Sequence, residues 1–154
     1  MNYVQALVLA PTFELALQIG HVMEMMAKYL PHIRIAYAVR DPVISKRKEL
    51  IKGKELEVPI VIGTPGTVEE WARKLRVINL KKLRLFVVDE ADVMISLSGF
   101  SQICIDLVKN TVTKDCQTML FSATYSDEVR RGYEYYDNRS IEDGYLFFFL
   151  PIIR

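Results

Sequence analysis

The sequence predicts an α/β domain: a mostly parallel sheet with helices on both faces. Five short, β-prone apolar runs are separated by segments with helical periodicity, and nearly every run ends in small, hydroxylated or acidic residues. Parallel strands need a crossover long enough for a helix, and the helices then cover both sheet faces, so strands in such sheets are apolar throughout. At 154 residues, 51% hydrophobic and 25% charged, the chain has the size and composition of one folded domain.

Residues 6–10, 33–39, 60–62, 85–88 and 119–121 read as the buried strands. After the first, Leu15, Ile19, Val22, Met26 and Tyr29 form an apolar stripe, with Glu14, Gln18, His21 and Lys28 on the opposite side. The link over residues 43–57 is charged and less regular, and reads as one exposed helix with a loop. Beyond the third strand, Thr67 and Glu70 are spaced as a capping box, and Glu69–Arg73 and Glu70–Lys74 are supporting i,i+4 pairs. Val68, Trp71, Ala72 and Leu75 make that helix's inner stripe, which places Trp71 in the core. Phe100, Ile103, Cys104, Leu107 and Val108 make a third.

Charge decides little here. Twenty Lys and Arg against 19 Asp and Glu leave a net charge of +1, and a local basic groove can sit on a neutral chain. Cys104 and Cys116 lack paired metal spacing and read as free, buried thiols of a reducing compartment. His21 and His32 have no ligand partners in sequence and read as surface or packing residues. No basic region precedes the first apolar run, and Pro11 interrupts it, which argues against a signal peptide. Residues 145–153 are strongly apolar but far short of the roughly 20 that a membrane helix needs. The expectation is an intracellular, soluble protein with no membrane contact, where the Asn138-Arg139-Ser140 sequon carries no meaning.

In open α/β sheets, ligands bind beyond the carboxyl ends of the strands. The segments that follow the strands here are Pro11-Thr12-Phe13-Glu14, Arg40-Asp41-Pro42, Gly63-Thr64-Pro65-Gly66-Thr67, Asp89-Glu90-Ala91-Asp92 and Ser122-Ala123-Thr124. Two adjacent carboxylates at a strand end can serve phosphoryl transfer, one near Mg²⁺ and one near the attacking water. They can equally be solvated carboxylates favoured by a helix dipole. Thr64-Pro65-Gly66-Thr67 reads either as a turn presenting free N–H groups to a phosphate or as an ordinary capped turn. Ser122 and Thr124 read equally as turn hydroxyls. The Tyr133-Glu134-Tyr135-Tyr136 stretch is either a base-stacking surface or, more simply, a helix end packed on the sheet.

Taken in order, these segments resemble the motifs of DEAD-box RNA helicases. Pro11-Thr12-Phe13-Glu14-Leu15-Ala16 is similar to motif Ia, with Phe13 where Arg is usual, and Thr64-Pro65-Gly66-Thr67 to motif Ib, with Thr67 where Arg is common. Val88-Asp89-Glu90-Ala91-Asp92 matches motif II in full and Ser122-Ala123-Thr124 matches motif III. Phe13 before Glu14, the closing Thr67, Ala36-Tyr37-Ala38-Val39-Arg40 and Ala91-Asp92-Val93-Met94-Ile95 look like the mRNA-export helicases of the nuclear pore. The resemblance covers about residues 3–128.

It implies a RecA-like sheet of the P-loop NTPase type, with ATP and Mg²⁺ as cofactors in the complete protein. Asp89 would hold Mg²⁺ through water, and Glu90 would activate the hydrolytic water. Asp92 would couple to Ser122 or Thr124, and Pro11, Thr12, Glu14, Thr64, Gly66 and Thr67 would line a track for the RNA backbone. Implied partners are RNA, read with little sequence preference, and nuclear-pore and mRNA-export factors; implied locations are cytoplasm, nucleus and nuclear pore.

The departures are equally specific. The family's Gly-x-Gly-Lys-Thr loop, its adenine-reading segment and its second RecA-like domain are not in these 154 residues. The expected organisation is therefore a partial helicase ATP-binding domain over residues 1–136, without the P-loop strand, and an atypical tail over 137–154. The chain alone is expected not to turn over ATP. Asp41-Pro42 also replaces a flexible glycine pair common in relatives. Two alternatives stand beside the helicase reading: a non-catalytic remnant that binds RNA or a helicase partner, and a phospho-receiver-like signalling module. The second needs a Lys at a late strand end, and Ser122-Ala123-Thr124 offers none.

Overall fold

Each of the five apolar runs forms a strand: β1 (Ala6–Leu9), β2 (Ile35–Ala38), β3 (Ile60–Gly63), β4 (Leu85–Val88) and β5 (Gln117–Leu120). The structure, a computed structural model, describes residues 3–40, 53–96, 102–104, 106–107 and 116–123. The strands make one sheet in the order β2-β3-β1-β4-β5, and every pairing is parallel. In the centre, Leu7 stands level with Val61 on one side and Phe86 on the other.

Because strand side chains alternate between faces, the sheet feeds two cores. Leu7, Leu9, Val61, Phe86, Val88 and Leu120 join one, under Val68, Trp71, Leu75, Met94, Cys104 and Leu107. Val8, Ala10 and Ile62 join the other, under Ala16, Leu15, Ile19 and Met23 of helix α1 (Phe13–Met26). Helices thus lie on both faces, as the alternation predicts.

Helix α1 corrects one expectation. Leu15 and Ile19 pack inward, but Val22, Met26 and Tyr29 are 49%, 78% and 84% exposed. Contact with the sheet runs instead through the small residues Ala16 and Gly20, both buried. A Cβ at Gly20 would overlap the Tyr37 ring of β2, so the absence of a side chain is what sets the helix this close.

The second helix also differs at its start. Helix α2 (Pro65–Glu69) has Thr64 as N-cap and Pro65 at its first position, so Thr67 lies inside it and the Thr67–Glu70 capping box does not form. Proline fits there because its fixed φ suits the first turn and its missing N–H has no partner to lose. The helix continues as a π-helical turn over Glu70–Lys74, closed by Leu75 N–H on Glu70 C=O at 3.0 Å. The expected Glu69–Arg73 pair forms at 3.4 Å. Trp71 is buried, as its stripe requires.

Helix α3 (Ala91–Ser96) follows β4 and buries Ala91 and Met94. Of the third stripe, Cys104 and Leu107 are buried and Ile103 packs against the core, while Phe100 and Val108 lie outside the described residues. The helix expected in the 43–57 link, the Tyr133–Tyr136 stretch and the tail over 137–154 lie outside them as well. Both cysteines are free and buried, and burial pushes the thiols up to about 12 for Cys104 and about 11 for Cys116. His21 and His32 are exposed. Among the described residues, no helix is long and apolar enough to cross a membrane.

Candidate functional site

Backbone hydrogen bonds bring the carboxyl ends of the strands into one edge. Ala10 N–H donates to Gly63 C=O at 3.0 Å, Thr64 N–H to Ala38 C=O at 3.2 Å, and Asp89 N–H to Leu9 C=O at 2.9 Å. Four loops distant in sequence therefore leave the sheet side by side. Gly63 makes this possible, since a Cβ there would strike the Ala38 carbonyl.

On one half of the edge lies a cleft of about 270 Å³, lined by Pro11, Phe13, Arg40, Thr64, Gly66 and Thr67. Four of these six, Pro11, Thr64, Gly66 and Thr67, are among the residues expected to line an RNA track. Pro11 is buried and shapes the wall. Thr12 is exposed, and its hydroxyl caps α1 by accepting Leu15 N–H at 3.2 Å. Glu14 is exposed in the first turn of that helix, where the dipole favours a carboxylate. Thr64 Oγ1 lies 3.3 Å from Thr67 Oγ1, and Thr67 is buried beneath it. Gly66 has nothing within 4 Å of where a Cβ would stand, leaving its backbone open to an approaching ligand.

The acidic half is built around the exit of β4. Asp89 Oδ1 accepts Glu90 N–H at 3.0 Å, and Glu90 takes a left-handed φ of 47°. Non-glycine residues pay for that region of backbone, and it is held here from both sides. Met94 N–H donates to Glu90 C=O at 3.0 Å, and Ala91 N–H to Phe121 C=O at 2.9 Å. Both carboxylates are half-buried.

The β5 exit meets this turn directly. Phe121 N–H donates to Val88 C=O at 2.9 Å, and buried Ser122 accepts Asp92 N–H on Oγ at 3.3 Å. Asp92 and Ser122 are thus in contact, through the backbone amide of Asp92. Thr124, the other expected partner, lies outside the described residues.

Sequence reasoning left two cleft residues out of the site, Phe13 and Arg40. A signal for both lies in the sequence: each belongs to a segment that follows a strand, beside the other residues of the edge.

A model of the DEAD/DEAH box helicase family matches residues 1–131. Among curated proteins, the chain is 46% identical over 128 residues to the ATP-dependent RNA helicase DDX19A of Homo sapiens, covering 83% of this chain and 25% of that protein. It is 48% identical over 128 residues to DDX25 of Xenopus laevis, again covering 83% and 25%. The chain therefore spans about a quarter of the length of these relatives. Among solved structures, S. cerevisiae Dbp5 bound to RNA and ADP BeF3 superposes with a TM-score of 0.75 at 34% identity, over 97% of this chain and 34% of that one. Mss116p, at 23% identity and a TM-score of 0.67 over 96% of this chain and 29% of its own, shares the fold. With the motif II and III segments joined at one sheet edge and the family match running through both, the chain belongs to the DEAD/DEAH box helicase family.

Proposed function

We propose that this chain is the RNA-gripping and water-activating part of an ATP-dependent RNA helicase, which remodels RNA and acts in mRNA export. The observation that carries the reading is the shared edge: the cleft at Pro11, Thr64 and Gly66 lies on the same sheet edge as Asp89 and Glu90. Pro11, Thr12, Glu14, Thr64, Gly66 and Thr67 line or flank the RNA track, which grips phosphates and sugars and so reads little sequence.

Asp89 and Glu90 offer hard carboxylate oxygens, the donors that Mg²⁺ prefers. Among the described residues no group of three ligating side chains forms. Mg²⁺ keeps several waters and takes other ligands from nucleotide phosphates, so Asp89 would be the protein's anchor through water. Mg²⁺ bound there with ATP would neutralise charge on the transferring phosphoryl group. Asp89 also fixes the amide of Glu90. Glu90, held in its left-handed backbone conformation, orients the hydrolytic water and accepts its proton. The contact of the Asp92 amide with Ser122 ties that turn to the β5 exit, and Asp92, Ser122 and Thr124 would couple the nucleotide state to the rest of the protein.

The likeness to DDX19A and Dbp5 supports the export branch. One S. cerevisiae Dbp5 variant structure contains Nup159, Gle1, IP6 and ADP, which supports nuclear-pore and export factors as partners and the pore, between nucleus and cytoplasm, as the place of action. No Gly-x-Gly-Lys-Thr sequence occurs in these 154 residues. The chain alone would therefore bind RNA without turning over ATP, the non-catalytic behaviour of the alternative reading.

The test is RNA-stimulated ATP hydrolysis by the full-length protein. Glu90→Gln should lower kcat by about 10²–10⁴ while leaving RNA affinity in the presence of ATP nearly unchanged. Undiminished turnover in that variant would remove Glu90 from the chemistry.

A further inference from the structure

Charge is unevenly placed along this chain. Residues 71–84 hold six cations, Arg73, Lys74, Arg76, Lys81, Lys82 and Arg84, and no carboxylate. The remaining residues hold 14 Lys and Arg against 19 Asp and Glu, a net charge of −5. The cationic segment ends the π-helical turn and leads into β4, which places it at the amino ends of the strands, across the sheet from the cleft and the acidic turn. Leu56 N–H, just ahead of β3, donates to Val77 C=O at 2.8 Å, and Arg84 N–H donates to Gln5 C=O, just ahead of β1, at 2.7 Å. A second cavity, of about 530 Å³, lies there, with Arg73, Arg76 and Lys81 beside the apolar Ala72, Ile78 and Leu80.

Arg73 reaches Glu69 at 3.4 Å and Asp106 at 3.9 Å, whereas among the described residues no carboxylate pairs with Arg76 or Lys81. Both are exposed. A helix dipole accounts for cations in a last turn, such as Arg73 and Lys74, but not for Lys81 beyond it. Arg76 takes a left-handed φ of 55°, at a helix end where glycine is usual. Val77 N–H on Trp71 C=O at 3.0 Å holds that turn. Strained backbone under a free guanidinium, at a cavity, is the pattern of a binding surface rather than of packing.

We propose that this cavity docks an acidic segment of a partner protein, a function separate from the RNA track. Arg76 and Lys81 hold its carboxylates, and an apolar side chain sits against Ala72, Ile78 and Leu80. Glu55, also on the cavity wall, decides for a peptide over a nucleic acid. It is fixed there by Lys82 Nζ at 2.7 Å and Asn79 Nδ2 at 3.1 Å. A peptide can set a backbone N–H or an apolar side chain opposite Glu55, whereas a nucleic acid carries a charge at every link.

Fluorescence anisotropy of a labelled acidic dodecapeptide, a repeat of Asp-Glu-Leu, tests the site on this chain. Binding is expected at low salt and should weaken as salt screens the pairs. Arg76→Gly removes the guanidinium and suits the left-handed backbone, so the melting temperature should hold or rise while affinity falls roughly tenfold. Lys81→Gln should weaken binding about two- to fivefold. Lys28→Gln, the same charge change at an exposed residue beyond the end of α1, should leave affinity unchanged. Peptide affinity untouched by Arg76→Gly and Lys81→Gln, or no peptide binding at low salt, would overturn the docking site and leave the RNA track standing. An oligouridylate that displaces the peptide, and itself loses affinity through the same two substitutions, would overturn it too, in favour of a nucleic-acid surface.

Discussion

Glu90 illustrates how far single residues are constrained at this edge. Its φ of 47° costs on the order of 1 kcal/mol for a non-glycine residue, and is sustained by bonds from Asp89, Met94 and the β5 exit. Gly66 is the opposite case, a position free of steric demand. A methyl group there meets nothing within 4 Å, and the residue lies in the first turn of a helix, where alanine is preferred by up to roughly 1 kcal/mol. Gly66→Ala should therefore fold as well as the parent or slightly better. If RNA backbone runs over Gly66, the same methyl group should weaken RNA binding about tenfold, the equivalent of about 1.4 kcal/mol. A thermal melt and an anisotropy titration on the same sample check both halves. An unchanged affinity would move the RNA path away from Gly66.

Between elements, the contact of α1 with β2 is specified by Gly20, Tyr37 and Glu24. The Tyr37 ring fills the space over Gly20, and its hydroxyl donates to Glu24 Oε1 at 2.9 Å. Burial, that hydrogen bond and the Glu24 charge together raise the Tyr37 phenol from 10.0 to about 12. Because the folded-state value lies above the unfolded one, the linked stability is present below pH 10 and is lost as pH rises from 10 toward 12. Tyr37→Phe should make stability less dependent on pH in that window, read as chemical-denaturation midpoints at pH 9, 10 and 11; parallel curves would show that the bond contributes nothing. Sequence pattern found all five strands, because each is a short apolar run between turn residues. It missed the inner face of α1, because it counted large residues and the close contact is made by Ala16 and Gly20. It placed the cap of α2 three residues late, taking the Thr67–Glu70 spacing over the Pro65 signal at the first helical position. The acidic and hydroxyl motifs were legible as residue types, but their meeting through the Asp92 amide and Ser122 depends on β4–β5 register, which no local pattern encodes.

At the scale of the molecule, little charge keeps copies of this chain apart. Net charge is +1, the isoelectric point is about 7.7, and 51% of residues are hydrophobic. Val22, Met25, Met26 and Tyr29 project from the end of α1 and the turn after it at 49% to 84% exposure. Among the described residues, β2 and β5 each pair with one neighbour only, so each leaves a strand edge. A contiguous apolar surface with near-zero net charge favours association, since neither electrostatic repulsion nor a polar cover opposes contact. The isolated chain should therefore self-associate most strongly near pH 7.7. Replacing Met26 and Tyr29 by Glu adds two negative charges to the patch, giving a net charge of −1 and moving the isoelectric point down. Both side chains are already exposed, so the melting temperature should change little. Sedimentation velocity across pH 6 to 9 reads the outcome: the paired variant should shift toward monomer, most of all near pH 8. A parent chain that is a monodisperse monomer at pH 7.7 would show that this apolar face does not drive association.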